Sequence, residues 1–131
     1  MRAVGSKGTS AELRARAELR EIGFRMRYNA PYLPGRPDIA LHAIEFAIFV
    51  HGCFWHGHGC KRGARVPRAN RDYWLAKIAR NRTRDRTNTA ELRKAGWSVI
   101  KFWECESELQ RRRKLRLLKS AEQAATSKAT R

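Results

Sequence analysis

The 131-residue chain sets 29 Lys and Arg against 12 Asp and Glu, a formal charge of +17, and that length supports one domain rather than two. With 42% hydrophobic and 31% charged residues, the composition allows a modest core and excludes wholesale disorder, which needs low hydrophobicity beside high charge. No apolar run approaches the ~20 residues that span a bilayer, and residues 1–7 lack the apolar centre of a secretory signal, so a soluble cytoplasmic protein is expected.

In chain order, Thr9 and Glu12 have the spacing of a capping box, and Leu13, Ala17, Leu19 and Ile22 give the face of a helix over residues 10–22 that Gly23 stops. Phe24 to Tyr28 alternates apolar with basic residues as a half-exposed strand does, and Pro31, Pro34, Gly35 and Pro37 then impose a rigid turn. Ile39 to Leu41 and Phe46 to Val50 read as adjacent antiparallel strands near the centre of a sheet. Helical character runs from Asn70, as N-cap, to about Ala95, with a break expected around Thr83 to Thr89. After Gly96, Trp97 to Trp103 reads as a buried strand and Glu106 to about Gln123 as a basic helix. The expected order is α-β-β-β-α-α-β-α, an α/β domain with a mixed sheet flanked by helices; residues 1–8 and 121–131 are expected to fray.

The three cysteines cannot all pair within one chain, and Cys53 and Cys60 share the segment His51-Gly-Cys53-Phe-Trp-His56-Gly-His58-Gly-Cys60. Thiolate and imidazole suit zinc, and Cys105, just past the last strand, is the natural completing ligand of a closed, structural Cys3His site. Spacing does not say which histidine binds, and three buried free cysteines are the plain alternative. Asp38 opens one strand and Val50-His51 closes its neighbour, so a hairpin can set a carboxylate beside a main-chain carbonyl and imidazoles. That is a seat for magnesium, with His51 and His56 able to accept a proton from water or steady the leaving group. Pro37-Asp38 is also a common turn dipeptide.

Phe54 and Trp55 either pack against the metal loop or lie exposed, where aromatic rings can wedge between base pairs or stack on an extrahelical base. Trp74 has the same two readings, core or nucleic acid, with Lys77 and Asn81 one and two turns onward. The charge of +17 favours a polyanion partner such as DNA, whose counterions are released on binding; an anionic membrane surface or a merely solvated basic face would need the same charge. Glu12 is explained by capping, with a catalytic role secondary.

Several separated blocks resemble the very short patch repair endonucleases: Met1-Arg2-Ala3, Pro34-Gly35-Arg36-Pro37-Asp38, Phe49-Val50-His51-Gly52-Cys53-Phe54-Trp55-His56, Tyr73-Trp74-Leu75-Ala76-Lys77-Ile78 with Asn81, Arg84-Asp85, and Gly96-Trp97 followed by Trp103-Glu104-Cys105. The resemblance covers roughly residues 1–106. It implies a restriction-endonuclease-like core with a structural zinc, and magnesium-dependent nicking of one DNA strand at T:G mismatches. Carried over residue by residue, it implies Asp38 and the Val50 carbonyl as magnesium ligands, His51, His56 and auxiliary Glu12 as catalytic groups, and Cys53, His58, Cys60 and Cys105 as zinc ligands. Phe54, Trp55 and Trp74 fall on residues inserted beside the mismatch, Met1 and Val4 on minor-groove wedges, and Lys77 and Asn81 on base-contacting positions. Val50 stands where the family often has threonine; a main-chain ligand survives that change and a hydroxyl hydrogen bond does not. A monomer acting at the bacterial nucleoid, with repair proteins as possible partners, completes what the resemblance implies. The alternatives are a restriction or defence nuclease of the same fold with another target, and a zinc-stapled DNA-binding module without catalysis.

Overall fold

The structure, a computed structural model, describes residues 10–52 and 66–129, with side chains to residue 125. Seven elements follow in chain order: α1 (Ser10–Ile22), β1 (Arg27–Tyr28), β2 (Ile39–Leu41), β3 (Phe46–His51), α2 (Arg71–Lys94), β4 (Ser98–Trp103) and α3 (Glu108–Ala129). The strands form one mixed sheet in the order β1-β2-β3-β4. The hairpin β2-β3 is antiparallel, with Ile39 opposite Ile48 and Leu41 opposite Phe46. β3 and β4 run parallel, with Val50 opposite Phe102 and His51 opposite Trp103. Parallel neighbours need a crossover, and α2 supplies it.

Side-chain alternation divides the sheet into two faces. Ile39, Leu41, Ile48 and Phe102 are buried in a cluster with Ala15 and Leu19 of α1 and Leu115 and Leu118 of α3, and Phe46, Val50 and Ile100 pack against it. Each fully buried aliphatic side chain there contributes about 1.5–3 kcal/mol relative to exposure. Ala40, Ala47, Phe49 and His51 take the opposite face by parity, where α2 buries Ile78, Thr89 and Leu92. No helix among the described residues is long and apolar enough to cross a membrane.

Three expectations need correction. The strand expected over Phe24 to Tyr28 shrinks to Arg27–Tyr28, because β2 offers only three residues to pair with; Phe24 goes into the core cluster instead. No break divides the long helix, so the order is α-β-β-β-α-β-α: α2 is continuous over Arg71–Lys94. The threonines that suggested a break cost only a few tenths of a kcal/mol each, and burial of Thr89 and Leu92 in register with Ile78 overrides them. Asn70 does stand at the N-cap, but at φ 57 and without a side-chain cap bond. Finally, α3 begins at Glu108 and runs on to Ala129, so residues 121–129 are helical rather than frayed. Its start is fixed by a reciprocal capping box: the Gln110 N–H donates to Ser107 Oγ at 3.2 Å and the Ser107 N–H to Gln110 Oε1 at 2.9 Å.

Candidate active site

The loop before β2 is shaped by its prolines and one glycine. The Arg36 N–H donates to the Leu33 carbonyl at 3.1 Å, and Gly35 has φ +77, a type II turn with Pro34 at its second position and glycine at its third. A Cβ on Gly35 would lie 2.9 Å from the Asn88 side chain, so the turn sits directly against α2. Pro37 is fully buried, and the Asn29 N–H donates to the Asp38 carbonyl at 3.0 Å. These contacts fix the backbone that presents Asp38.

The Asp38 carboxylate reaches β3, where Oδ2 accepts the Val50 N–H at 2.7 Å. In a strand the N–H and C=O of one residue leave on the same side, so the Val50 carbonyl also faces Asp38, and His51 turns its backbone the other way, its carbonyl accepting the Glu104 N–H at 3.1 Å. Alternation puts the Asp38 and His51 side chains on one face of the sheet, diagonal across the β2-β3 pair. His51 is only 4% exposed. Its ring lies edge-to-face with Trp103, centroids 5.0 Å apart, and tilted against Phe49 at 5.7 Å. The constellation thus stands at the carboxyl ends of the parallel strands β3 and β4, where open α/β sheets bind ligands.

Glu12 is 3% exposed on α1 and is paired with Arg16 at 2.5 Å; its expected capping partner, Thr9, lies outside the described residues. On α2, Trp74, Lys77, Asn81 and Asp85 are all half-buried and recur at helical spacing with buried Ile78, so the two readings of Trp74 meet on the stripe that turns toward the sheet. Tyr73 lies edge-to-face with Trp74 at 5.0 Å, and Arg84 donates to Asn81 Oδ1 at 3.3 Å. Cys105 is exposed in the turn after β4. That turn is pinned by Glu106, whose Oε1 accepts the Trp103 N–H at 2.7 Å and whose Oε2 meets Lys114 at 2.5 Å. Met1, Val4, Cys53, Phe54, Trp55, His56, His58 and Cys60 lie outside the described residues; among the described residues no group of three or more metal-ligating side chains occurs.

Trp103, Phe49 and the Gly35–Asn88 contact had no role assigned from sequence. The first two are found by strand register, which local patterning does not supply; the third had a local signal, glycine after proline, but not its partner.

The family model for the DNA mismatch endonuclease Vsr matches residues 1–62. The type II nicking enzyme V.XorIIP of Xanthomonas oryzae is 46% identical over 106 residues, 81% of this chain and 77% of that protein. V.NmeAIP of Neisseria meningitidis is 46% identical over 103 residues, 79% and 73% of the two chains, and the DNA mismatch endonuclease Vsr of Escherichia coli is 40% identical over 105, 80% and 67%. The chain belongs to the Vsr family. As a Vsr-family protein it is an endonuclease, and a non-catalytic binding module is set aside. The segment matched by the Vsr model contains Glu12, Asp38, Val50 and His51.

Proposed function

We propose that this Vsr-family endonuclease is a magnesium-dependent enzyme that nicks one strand of duplex DNA at T:G mismatches, as a zinc-stapled monomer. The observation that carries the reading is the Asp38 carboxylate 2.7 Å from the Val50 N–H, beside buried His51. The donor set fits the cation: a carboxylate and a main-chain carbonyl facing the same way are hard oxygen donors, and magnesium keeps its remaining positions for water and phosphate. When bound there, magnesium supplies positive charge at the attacked phosphate and lowers the pKa of its water.

The protein's own residues do the rest. Asp38 and the Val50 carbonyl would hold the ion. His51, wedged by Trp103 and Phe49, offers an imidazole in fixed orientation to a phosphate oxygen or leaving group, and His56 would take the proton of the attacking water. Glu12 would act as an auxiliary carboxylate. Cys53, His58, Cys60 and Cys105 form a donor set that suits a closed zinc site. Phe54, Trp55 and Trp74 would lie beside the mismatch, with Met1 and Val4 in the minor groove and Lys77 and Asn81 against bases. The E. coli relative named as a mismatch endonuclease supports the target.

The relatives named as type II nicking enzymes favour single-strand cutting and keep a second reading in view, a restriction-type nuclease with another target. End-labelled duplexes bearing T:G or T:A at one site, incubated with and without magnesium, separate the two. Nicking of the T:G duplex alone, in magnesium alone, is the expected result; equal cutting of both duplexes would select the second reading, and cutting without divalent cation would remove the magnesium seat.

A further inference from the structure

Beyond the site at Asp38, the β1-β2 edge of the sheet carries an open cavity of about 470 Å³ lined by Arg25, Met26, Arg27, Tyr32, His42 and Ala43. Arg27 pairs with Ala40 across β1-β2, Arg25 and Met26 come just before β1, and His42 and Ala43 begin the turn just after β2. Tyr28, of opposite parity, turns to α1 instead, where the Arg16 guanidinium stacks on its ring at 4.0 Å.

The cavity wall is ordered and cationic. The Tyr32 hydroxyl and His42 Nε2 share a hydrogen bond at 2.7 Å, and Trp97 braces the imidazole edge-to-face at 5.2 Å. Arg25 and Arg27 are exposed, Arg27 on the edge strand β1 and Arg25 in the segment leading into it. Neither guanidinium is engaged by the core contacts that occupy Arg16 and Arg111, which pair with Glu12 and Glu18. Two guanidinium forks and a phenol around an open concavity match the tetrahedral, doubly accepting geometry of a phosphodiester.

We propose that this cavity is a second DNA-backbone site, which grips a phosphate of the duplex flanking the nick. The inference rests on the reading of the Asp38 site as the place of cleavage. Arg27 pairs with Ala40 and the Asn29 N–H with the Asp38 carbonyl, so Arg27 stands two residues along from Asp38's partner, about 7 Å at 3.3 Å per residue. That is about two base-pair steps at 3.4 Å each, so phosphates flanking a nick at Asp38 come within reach of the cavity. Arg25 and Arg27 would raise affinity and fix the direction in which the DNA runs, without touching the reacting atoms.

The test is a binding titration that does not need cleavage. Fluorescence anisotropy in magnesium-free buffer would compare a T:G duplex carrying about ten base pairs on each side with duplexes trimmed to about two base pairs on one side or the other. R25Q/R27Q should weaken binding of the long duplex about ten- to a hundredfold near physiological salt and make the slope of log affinity on log salt shallower by about 1–2. R25K/R27K should keep the slope. On one of the two trimmed duplexes, wild type and R25Q/R27Q should bind alike, which locates the gripped flank. In magnesium, R25Q/R27Q should raise KM and leave kcat unchanged. Unchanged affinity and slope, or an equal loss on both trimmed duplexes, would overturn the proposal. So would loss of the wild-type advantage to inorganic phosphate at constant ionic strength, which would mark a small-anion site. Failure of wild type to nick the T:G duplex would strike the proposed function, while the titration still judges the cavity.

Discussion

On one face of the sheet, Phe46, Ile48 and Val50 of β3 join Ile39, Leu41 and Phe102 beneath α1 and α3 in a continuous apolar cluster. On the other, the alternate residues of the same strands bring His51 and Trp103 together at one end, beside Asp38 just ahead of β2. A period of two lets one six-residue strand serve both purposes, so the apolar face fixes the register on which the polar face depends. A slip of one residue would bury Phe49 and His51 in the core and turn Ile48 out. The core side tolerates no polar group without a partner; the site side gathers its polar groups at the carboxyl ends of β3 and β4, where open α/β sheets bind ligands.

The largest expected effect lies on the polar face. Asp38→Asn keeps an oxygen to accept the Val50 N–H but removes the charge a cation needs, so nicking should fall by more than about a hundredfold with the melting midpoint nearly unchanged. Single-turnover nicking and thermal melting measured on one preparation check both halves; retained activity would remove Asp38 from the metal seat. The mirror-image case is Ile48→Ala, fully buried on the apolar face. It should cost about 2–5 kcal/mol in denaturant unfolding, with nicking per folded molecule nearly preserved at low temperature.

Gly35→Ala touches the join between the two regions. A side chain there must accept φ +77 and press on Asn88 at 2.9 Å, which should cost about 1–3 kcal/mol and lower nicking as well, since this turn delivers Asp38. Trp103→Leu removes the ring that braces His51 at 5.0 Å and keeps bulk, so nicking should drop about tenfold, close to 1.4 kcal/mol of activation free energy, with a smaller loss of stability. The smallest effect is expected at Arg112–Glu108, an ion pair 65% exposed on both sides; Arg112→Ala should move unfolding by less than about 0.5 kcal/mol. A larger shift there would mean that α3 contributes more than core packing.

Much of the chemistry was legible because it is local in sequence. Pro31, Pro34, Gly35 and Pro37 impose a rigid turn, Asp38 opens a strand, and His51 closes the next, so a short hairpin brings them together with little choice of register. The helix over Ser10–Ile22 and the strand starting after Gly96 were equally local, each stopped or started by a glycine at positive φ. Local signals misled where tertiary burial outweighed them. Threonine and asparagine between Thr83 and Thr89 argued for a break, but the stripe of Ile78, Thr89 and Leu92 keeps α2 in one piece. Ser107 and Gln110 form a capping box that local reading passed over.

The sequence by itself determined the basic charge, the α/β character, the hairpin that joins Asp38 to Val50 and His51, and the family, because each of these resides in composition or in contiguous motifs. Only the tertiary structure decided that β4 runs parallel beside β3, with Trp103 edge-on to His51, and that Arg25, Arg27, Tyr32 and His42 share one cavity. Those are pairings between segments far apart in the chain. Their register is set by how the whole apolar face packs against two helices, a sum over many contacts that no short stretch of residues contains.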